Sequence, residues 1–346
     1  MDAIRIGFVG LGGICRQRHV PGLKRIPGIE ILGVANRTRE SGERAAAEFG
    51  IPRVFDRWQD LVACPDIDAV FIGTWPYMHR PISLAALDAG KHVFCQARMA
   101  MDFGEARDML DAARSSGRVA ALCPVPFGLS IDAVIARLIR TRELGAIRLV
   151  RVQSFTDAFA RPESPLSWRK DHRLSGLNMH TLGMYIEVIH RWFGFTRAVY
   201  PAQIHTFTPE RPDATGALVR VRIPDQVLFS AEMAGEYPVE YTISAAVYGG
   251  VDSIEIYGSD MTLRYEIGPD RLLGAKPGEA YQPVPIYSEE AYNVQDWRVE
   301  ADFVDAIRNG TPYHPSFLHG ARYMQVVQAV YDASSAGRIL HLEALM

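Results

Sequence analysis

Cysteine is scarce in this chain and is not spaced for chemistry. Cys15, Cys64, Cys95 and Cys123 are the four among 346 residues, with no Cys-x-x-Cys pair and no metal-like spacing. They read as buried or semi-buried thiols in a reducing compartment, with no metal. An excess of one charge is also missing. Against 40 Asp and Glu stand 37 Lys and Arg, a net charge of −3. That gives no electrostatic footprint for nucleic acid and no charged tail. No apolar run approaches the roughly 20 residues of a membrane span. The opening MDAIRIGFVG enters a strand pattern without a signal-peptide profile. Repeats and low-complexity stretches are absent. The expectation is a cytoplasmic protein without membrane or nucleic-acid partners.

What is present is an alternation of strand and helix signals over the first third. IRIGFV (4–9), IEILGVAN (29–36), IDAVFIGT (67–74), KHVFC (91–95) and RVAALC (118–123) are short apolar runs. Helical stretches at 13–26, 38–48, 77–89 and 103–116 separate them. Apolar strands divided by helices imply a parallel sheet covered on both faces, a doubly wound α/β domain. After CPVPFG (123–128) the pattern changes. A helix at 130–143 leads to the strand pattern LGAIRLVRVQSF, and a long loop, TDAFARPESPLSWRKDHRLSG, follows. Next come a helix at 178–193 and a run of strands from 196 to 286. Helices at 295–308 and 316–335 follow. Strands without helical crossovers imply a large, mostly antiparallel open sheet in an α+β domain. The domains are expected at 1–124 and 125–346.

GFVGLGGIC follows the first strand and opens a helix. As G-x-G-x-x-G/A, Gly10 makes the tight turn and Gly12 lets backbone approach a pyrophosphate. Gly13 and Ile14 lead into the helix N-terminus, and Cys15 is the small third residue. A dinucleotide is the expected ligand. An NAD site calls for Asp or Glu at the end of the second strand. Here the strand ends Asn36-Arg37-Thr38. With no carboxylate to repel a 2′-phosphate, NADP(H) is favoured and NAD(H) stays open. Arg37 and Thr38 are candidate phosphate contacts; Arg37 solvated over the adenine is the plainer alternative.

The chain resembles the Gfo/Idh/MocA family, named for glucose–fructose oxidoreductase and inositol dehydrogenase. IGTWPYMHRPISLAALDAGKHVFCQARMA is similar to its T-P-N-x-x-H…GKHVxCEKP segment, through Thr74, Pro76 shifted by one, and His79, and Thr74 and Trp75 are candidate cofactor contacts. SGLNMHTLGMYIEVIHRWFG is similar to its second-domain helix, and ADFVDAIRNGTPYHPS and RELGAIRLVRV match other stretches. The resemblance implies a Rossmann domain, a second domain with an open sheet, and a nicotinamide-dependent oxidoreductase. Its substrate would be a sugar, polyol or cyclic diol. It also implies sheet-to-sheet homodimers or homotetramers, and the mixed Tyr, Thr, Arg and apolar outer face of the sheet suits that.

Departures from the family pattern fall on its chemistry. Gln96-Ala97-Arg98 stands where Glu-Lys-Pro is usual, and Ala97 cannot give the hydrogen bond that the family lysine gives the reacting oxygen. In G-G-x-x-x-D-x-G-x-H, Thr181 replaces the aspartate and Tyr185 the histidine. VPFG replaces a polar segment. Tyr185 is the candidate proton acceptor, but a free phenol titrates near ~10 and needs a cation to lower it. Arg98 and Lys170 are the candidate cations, and His180, expected on the same helix, is a third catalytic candidate. Trp168 and Arg169 resemble the family's pair near the substrate, with Thr181 beside them. Gln96 and His79 are candidate cofactor contacts. Each has a structural counterpart: a packed tyrosine, a structural histidine, a solvated loop lysine. A lyase, epimerase or glycosidase without net redox, and a nucleotide-binding protein without catalysis, stay open as alternatives.

Overall fold

The structure, a computed structural model, describes residues 3–124, 129–287, 290 and 297–345; the VPFG stretch, 125–128, lies outside the described residues. The chain divides into two compact units, Met1–Phe127 with Trp297–Ala321, and Gly128–Asp296 with Arg322–Met346.

The first unit holds six parallel strands: β1 Ile4–Val9, β2 Ile29–Ala35, β3 Arg53–Val54, β4 Ala69–Ile72, β5 His92–Cys95 and β6 Ala120–Leu122. Their order is β3-β2-β1-β4-β5-β6. The order reverses between β1 and β4, and in such sheets ligands bind at that switch point, beyond the strands' carboxyl ends. β4 is buried along its whole length, as a strand covered on both faces must be. Thr38 caps the helix Arg39–Phe49 by accepting from Ser41 N–H, and Gly50 ends it at φ +67°. β3 and the short helix Trp58–Ala63 occupy a stretch that the sequence reading leaves unassigned. The helix expected at 13–26 contains one wide turn, Cys15–His19, where Val20 N–H reaches back to Cys15 O, before Val20–Lys24.

One element departs from the expected boundaries. The helix Val299–Asn309, assigned from sequence to the second domain, belongs to the first unit. Val299, Phe303, Val304 and Ala306 join the same buried cluster as Phe8, Phe71 and Phe94. Phe303 meets Phe71 and Phe94 edge-on at 5.3 and 5.5 Å. Apolar burial, not chain order, decides its place.

The second unit carries β7 Ile147–Phe155, β8 Thr196–Val199, β9 Gln203–His205, β10 Glu210–Pro212, β11 Leu218–Arg220, β12 Gln226–Met233 and β13 Pro238–Ser244. Then follow β14 Ser253–Gly258, β15 Thr262–Glu266, β16 Arg271–Ala275, β17 Gln282–Pro283 and β18 Leu340–His341. The large sheet runs β17-β16-β15-β14-β7-β13-β12-β8-β18, with β9 also on β12. β10 and β11 form a separate hairpin. Only β7 and β13 pair in parallel; the remaining pairs described are antiparallel. β12 alternates half-buried and buried positions, so Val227, Phe229, Ala231 and Met233 face the core. The helix expected at 178–193 starts later, at Leu182, and runs to Phe193. Gly183 on it lies where a Cβ would come within 3.1 Å of the Tyr323 ring, so its missing side chain lets that ring approach.

Candidate active site

The cleft of the first unit sets glycine backbone at Gly10, Gly12 and Gly73 beside the side chains of Asn36, Arg37, Trp75 and Tyr77. Gly10 sits at φ +79°, and a Cβ there would meet Thr74 Cγ2 at 2.7 Å. Only glycine satisfies both conditions. At Gly12 the nearest atom to an added Cβ is 3.8 Å away, and at Gly13 there is none within 4 Å, so the chain here faces open space. Cys15 is 1% exposed, and its thiol occupies room created by Gly73, where a Cβ would lie 2.4 Å from Sγ. Burial pushes the Cys15 thiol up to about 12, which keeps it protonated. Gly10, Gly12, Asn36, Arg37, Thr74 and Trp75 all line a cavity of about 300 Å³.

Asn36 braces this cleft. Its Oδ1 accepts from Leu11 N–H at 2.7 Å and its Nδ2 donates to Ser41 O at 3.0 Å. The side chain expected near a ribose is thus spent on the turn. Arg37 is exposed, its guanidinium 6.0 Å from the Trp75 ring centre. Thr74 Oγ1 is buried without a hydrogen-bond partner among the described residues. An orphaned hydroxyl and bare glycine backbone at a switch point suit a dinucleotide. His79 is fully buried, its ring facing Thr74 O on one side and Arg98 O and Met99 O on the other. Burial lowers its pKa. Its nitrogens tie two loops together and are not free for a ligand. Gln96 is buried beside His19, and the Ala97–Arg98 peptide is cis.

The polar cluster of the second unit centres on a residue the sequence did not mark, Asp252. Tyr185 donates to Asp252 Oδ2 at 2.7 Å, Ser154 Oγ donates to the same oxygen at 3.2 Å, and Phe155 N–H reaches Oδ1 at 2.7 Å. Thr181 joins through Ser154 at 3.0 Å. Burial first, then the carboxylate's charge and its hydrogen bond, push the Tyr185 phenol far above its usual range. This corrects the expectation of a cation beside Tyr185: its partner is an anion, which opposes the phenolate. His180 lies before the helix, not on it, at φ +36°, with Nε2 3.0 Å from Thr156 Oγ1.

Lys170 also departs from the sequence reading. It is 2% exposed and its ammonium contacts Asp225 Oδ1 at 2.5 Å, Pro224 O at 2.8 Å and Ile223 O at 3.2 Å. Three donors on three acceptors leave no proton for substrate. It also lies 4.8 Å from the Phe159 ring centre, and the buried Arg211 sits on the same ring at 5.8 Å while binding the carbonyls of Phe159 and Arg161. These two cations fasten the long loop from inside. Trp168 stacks under Arg169 at 4.3 Å. Asp252, Asp225 and Gly73 escaped the sequence reading because Asp in a turn and Gly after a strand are ordinary.

Known proteins carry the same two-part pattern. Residues 4–122 match the oxidoreductase family with an NAD-binding Rossmann fold, and residues 133–264 match the GFO/IDH/MocA C-terminal domain. The chain belongs to the Gfo/Idh/MocA family of NAD-binding oxidoreductases. It is 24% identical to levoglucosan dehydrogenase of Pseudarthrobacter phenanthrenivorans, covering 97% of both chains. It is 23% identical to inositol 2-dehydrogenase of Pseudomonas savastanoi pv. phaseolicola, over 98% of this chain and 96% of that one. Among solved structures, apo levoglucosan dehydrogenase superposes with a TM-score of 0.89 at 22% identity, covering all of both chains. Its complex with NADH and levoglucosan gives 0.87 at 22% identity, over 99% of this chain and all of that one. Among the described residues no helix is long and apolar enough to cross a membrane.

Proposed function

We propose that this chain oxidises or reduces a hydroxyl or carbonyl of a polyhydroxylated small molecule, with NADP(H) preferred over NAD(H). The observation that carries this reading is the bare Gly10–Gly13 backbone at the switch point, beside the orphaned Thr74 hydroxyl. The relatives named above act, by name, on an anhydro sugar and a cyclic polyol, which supports the substrate class. When bound, the dinucleotide supplies the hydride donor or acceptor. Residues Gly10 to Ile14 and Thr74 hold its phosphate side, and Arg37 meets a 2′-phosphate where NAD enzymes present a carboxylate. Trp75 lies along the same wall.

Proton handling falls to His180. Its imidazole is the side-chain type suited to acid–base work, whereas burial and Asp252 hold Tyr185 as a phenol. Arg98 stays charged and polarises the reacting oxygen. Thr181, Trp168 and Arg169 bind substrate. The reading is tested by following nicotinamide reduction with NADP+ and NAD+ against sugars, polyols and sugar acids. Net reduction supports it. Turnover of a sugar without net reduction supports the lyase or epimerase alternative instead.

Assembly as a homodimer or homotetramer is part of the same proposal. One row of the open sheet face reads Glu240, Arg151, Glu255, Arg264 across β13, β7, β14 and β15. Arg151 bonds Glu240 at 2.9 Å and Arg264 bonds Glu255 at 2.8 Å. Alternating charges offer a second copy a self-complementary surface. Light scattering on wild type and Arg151→Glu tests it; a monomeric wild type sinks it.

A further inference from the structure

Beneath the Gln96-Ala97-Arg98 turn lies a buried polar chain that no role described above uses. Glu300 is 1% and His19 0% exposed. Trp297 Nε1–H donates to both Glu300 oxygens at 2.8 Å, and His19 Nδ1 lies 2.5 Å from Glu300 Oε1. On the other edge of the imidazole, Nε2 meets the Gln96 side-chain amide. His19 comes from the helix that follows the glycine turn, Gln96 from the end of β5, and Glu300 from the helix Val299–Asn309. All belong to the first unit.

Donor and acceptor capacities fix the direction of this chain. A carboxylate only accepts, so the His19 proton sits on Nδ1. The Gln96 side-chain nitrogen faces Nε2, so a ring that carries its proton on Nδ1 accepts there from the Gln96 NH2. The Gln96 carboxamide is thereby locked with its oxygen turned away from His19. A glutamate at 96, the residue usual in the family, would aim a second carboxylate at a lone pair. The neutral Gln96 is therefore matched to a negative charge that Glu300 supplies through His19.

We propose that Glu300 and His19 are positioning residues that set the Gln96 turn, and through it the grip on the nicotinamide cofactor. The proposal rests on the cofactor reading above. It predicts a charge exchange. Gln96→Glu places carboxylates on both sides of His19. The double variant Gln96→Glu/Glu300→Gln restores one carboxylate and one amide with the tautomer reversed.

The test is calorimetric binding of NADPH and NADH, with circular dichroism and melting to report folding. For Gln96→Glu, affinity is expected to fall by about tenfold, a loss of about 1.4 kcal/mol. The double variant is expected within about threefold of wild type. A single variant that fails to fold while the double variant folds and binds also supports the exchange. A double variant no better than Gln96→Glu, or a Gln96→Glu affinity equal to wild type, overturns it. Should neither fold, Glu300→Gln decides: unchanged affinity overturns the proposal, and weaker binding with a folded spectrum supports it. A wild type that binds neither nucleotide sinks the cofactor reading itself, a separate result.

Discussion

In the first unit the cleft is framed by glycine backbone: Gly10, Gly12 and Gly73 have no side chain to place, and Asn36 braces the turn beside Arg37 and Trp75. In the second unit buried side chains far apart in sequence hold the framework, with Tyr185 on Asp252 and Lys170 on Asp225. A backbone cradle tolerates change in whatever surrounds it, provided the turn survives. A side-chain network fails when one partner is lost, because the other is left buried and unpaired.

The sharpest break in this comparison is expected at His180. Exchanged for asparagine, it should lower turnover by about 100-fold to about 10,000-fold, the usual span for a lost acid–base group, while calorimetric cofactor affinity stays near wild type. An unchanged rate would return the proton to another residue. Next in size is Lys170→Met, which strands Asp225. Urea unfolding should show a loss of about 3–5 kcal/mol, as for one partner removed from a buried ion pair. A solvated loop lysine would give almost none.

Tyr185→Phe comes third. Removing a hydrogen bond to a carboxylate should cost about 1.5–3 kcal/mol near neutral pH, with turnover reduced only modestly. The pH dependence carries a sign. The folded phenol titrates above the unfolded value of about 10. Its contribution is complete below that value and disappears as pH rises toward the folded one, at about 1.4 kcal/mol per pH unit. Alkaline unfolding of Tyr185→Phe should therefore be shallower by one proton. If instead its turnover collapses with stability intact, the phenol moves the proton after all. The smallest effect is expected in the first unit, where Arg37→Ala should weaken NADPH by about tenfold, a single charge-assisted contact, and leave NADH nearly unchanged.

The same contrast accounts for what could be read from sequence. The glycine turn, the parallel strands and the switch to a mostly antiparallel sheet are local patterns, so a linear reading reaches them. The partners of Tyr185 and Lys170 are not local: Asp252 and Asp225 lie 67 and 55 residues away along the chain. Nothing in GGVDS or IPDQ distinguishes those aspartates from ordinary turn residues. The spacing of NMHTLGMY continues that of Leu182–Phe193 and so places His180 on the helix, whereas its backbone lies in the left-handed region before it.

The return of Trp297–Ala321 to the first unit has a consequence for synthesis. A nascent chain that has emerged only as far as residue 124 carries the whole parallel sheet but not Phe303, whose ring closes over Phe71 and Phe94, nor Glu300, which receives the His19 proton. The nucleotide half must wait, with an aromatic face uncovered, until translation has passed through the entire intervening half. A fragment cut at residue 124 should accordingly be sticky and poorly folded, and supplying 297–321 as a grafted extension should mend it.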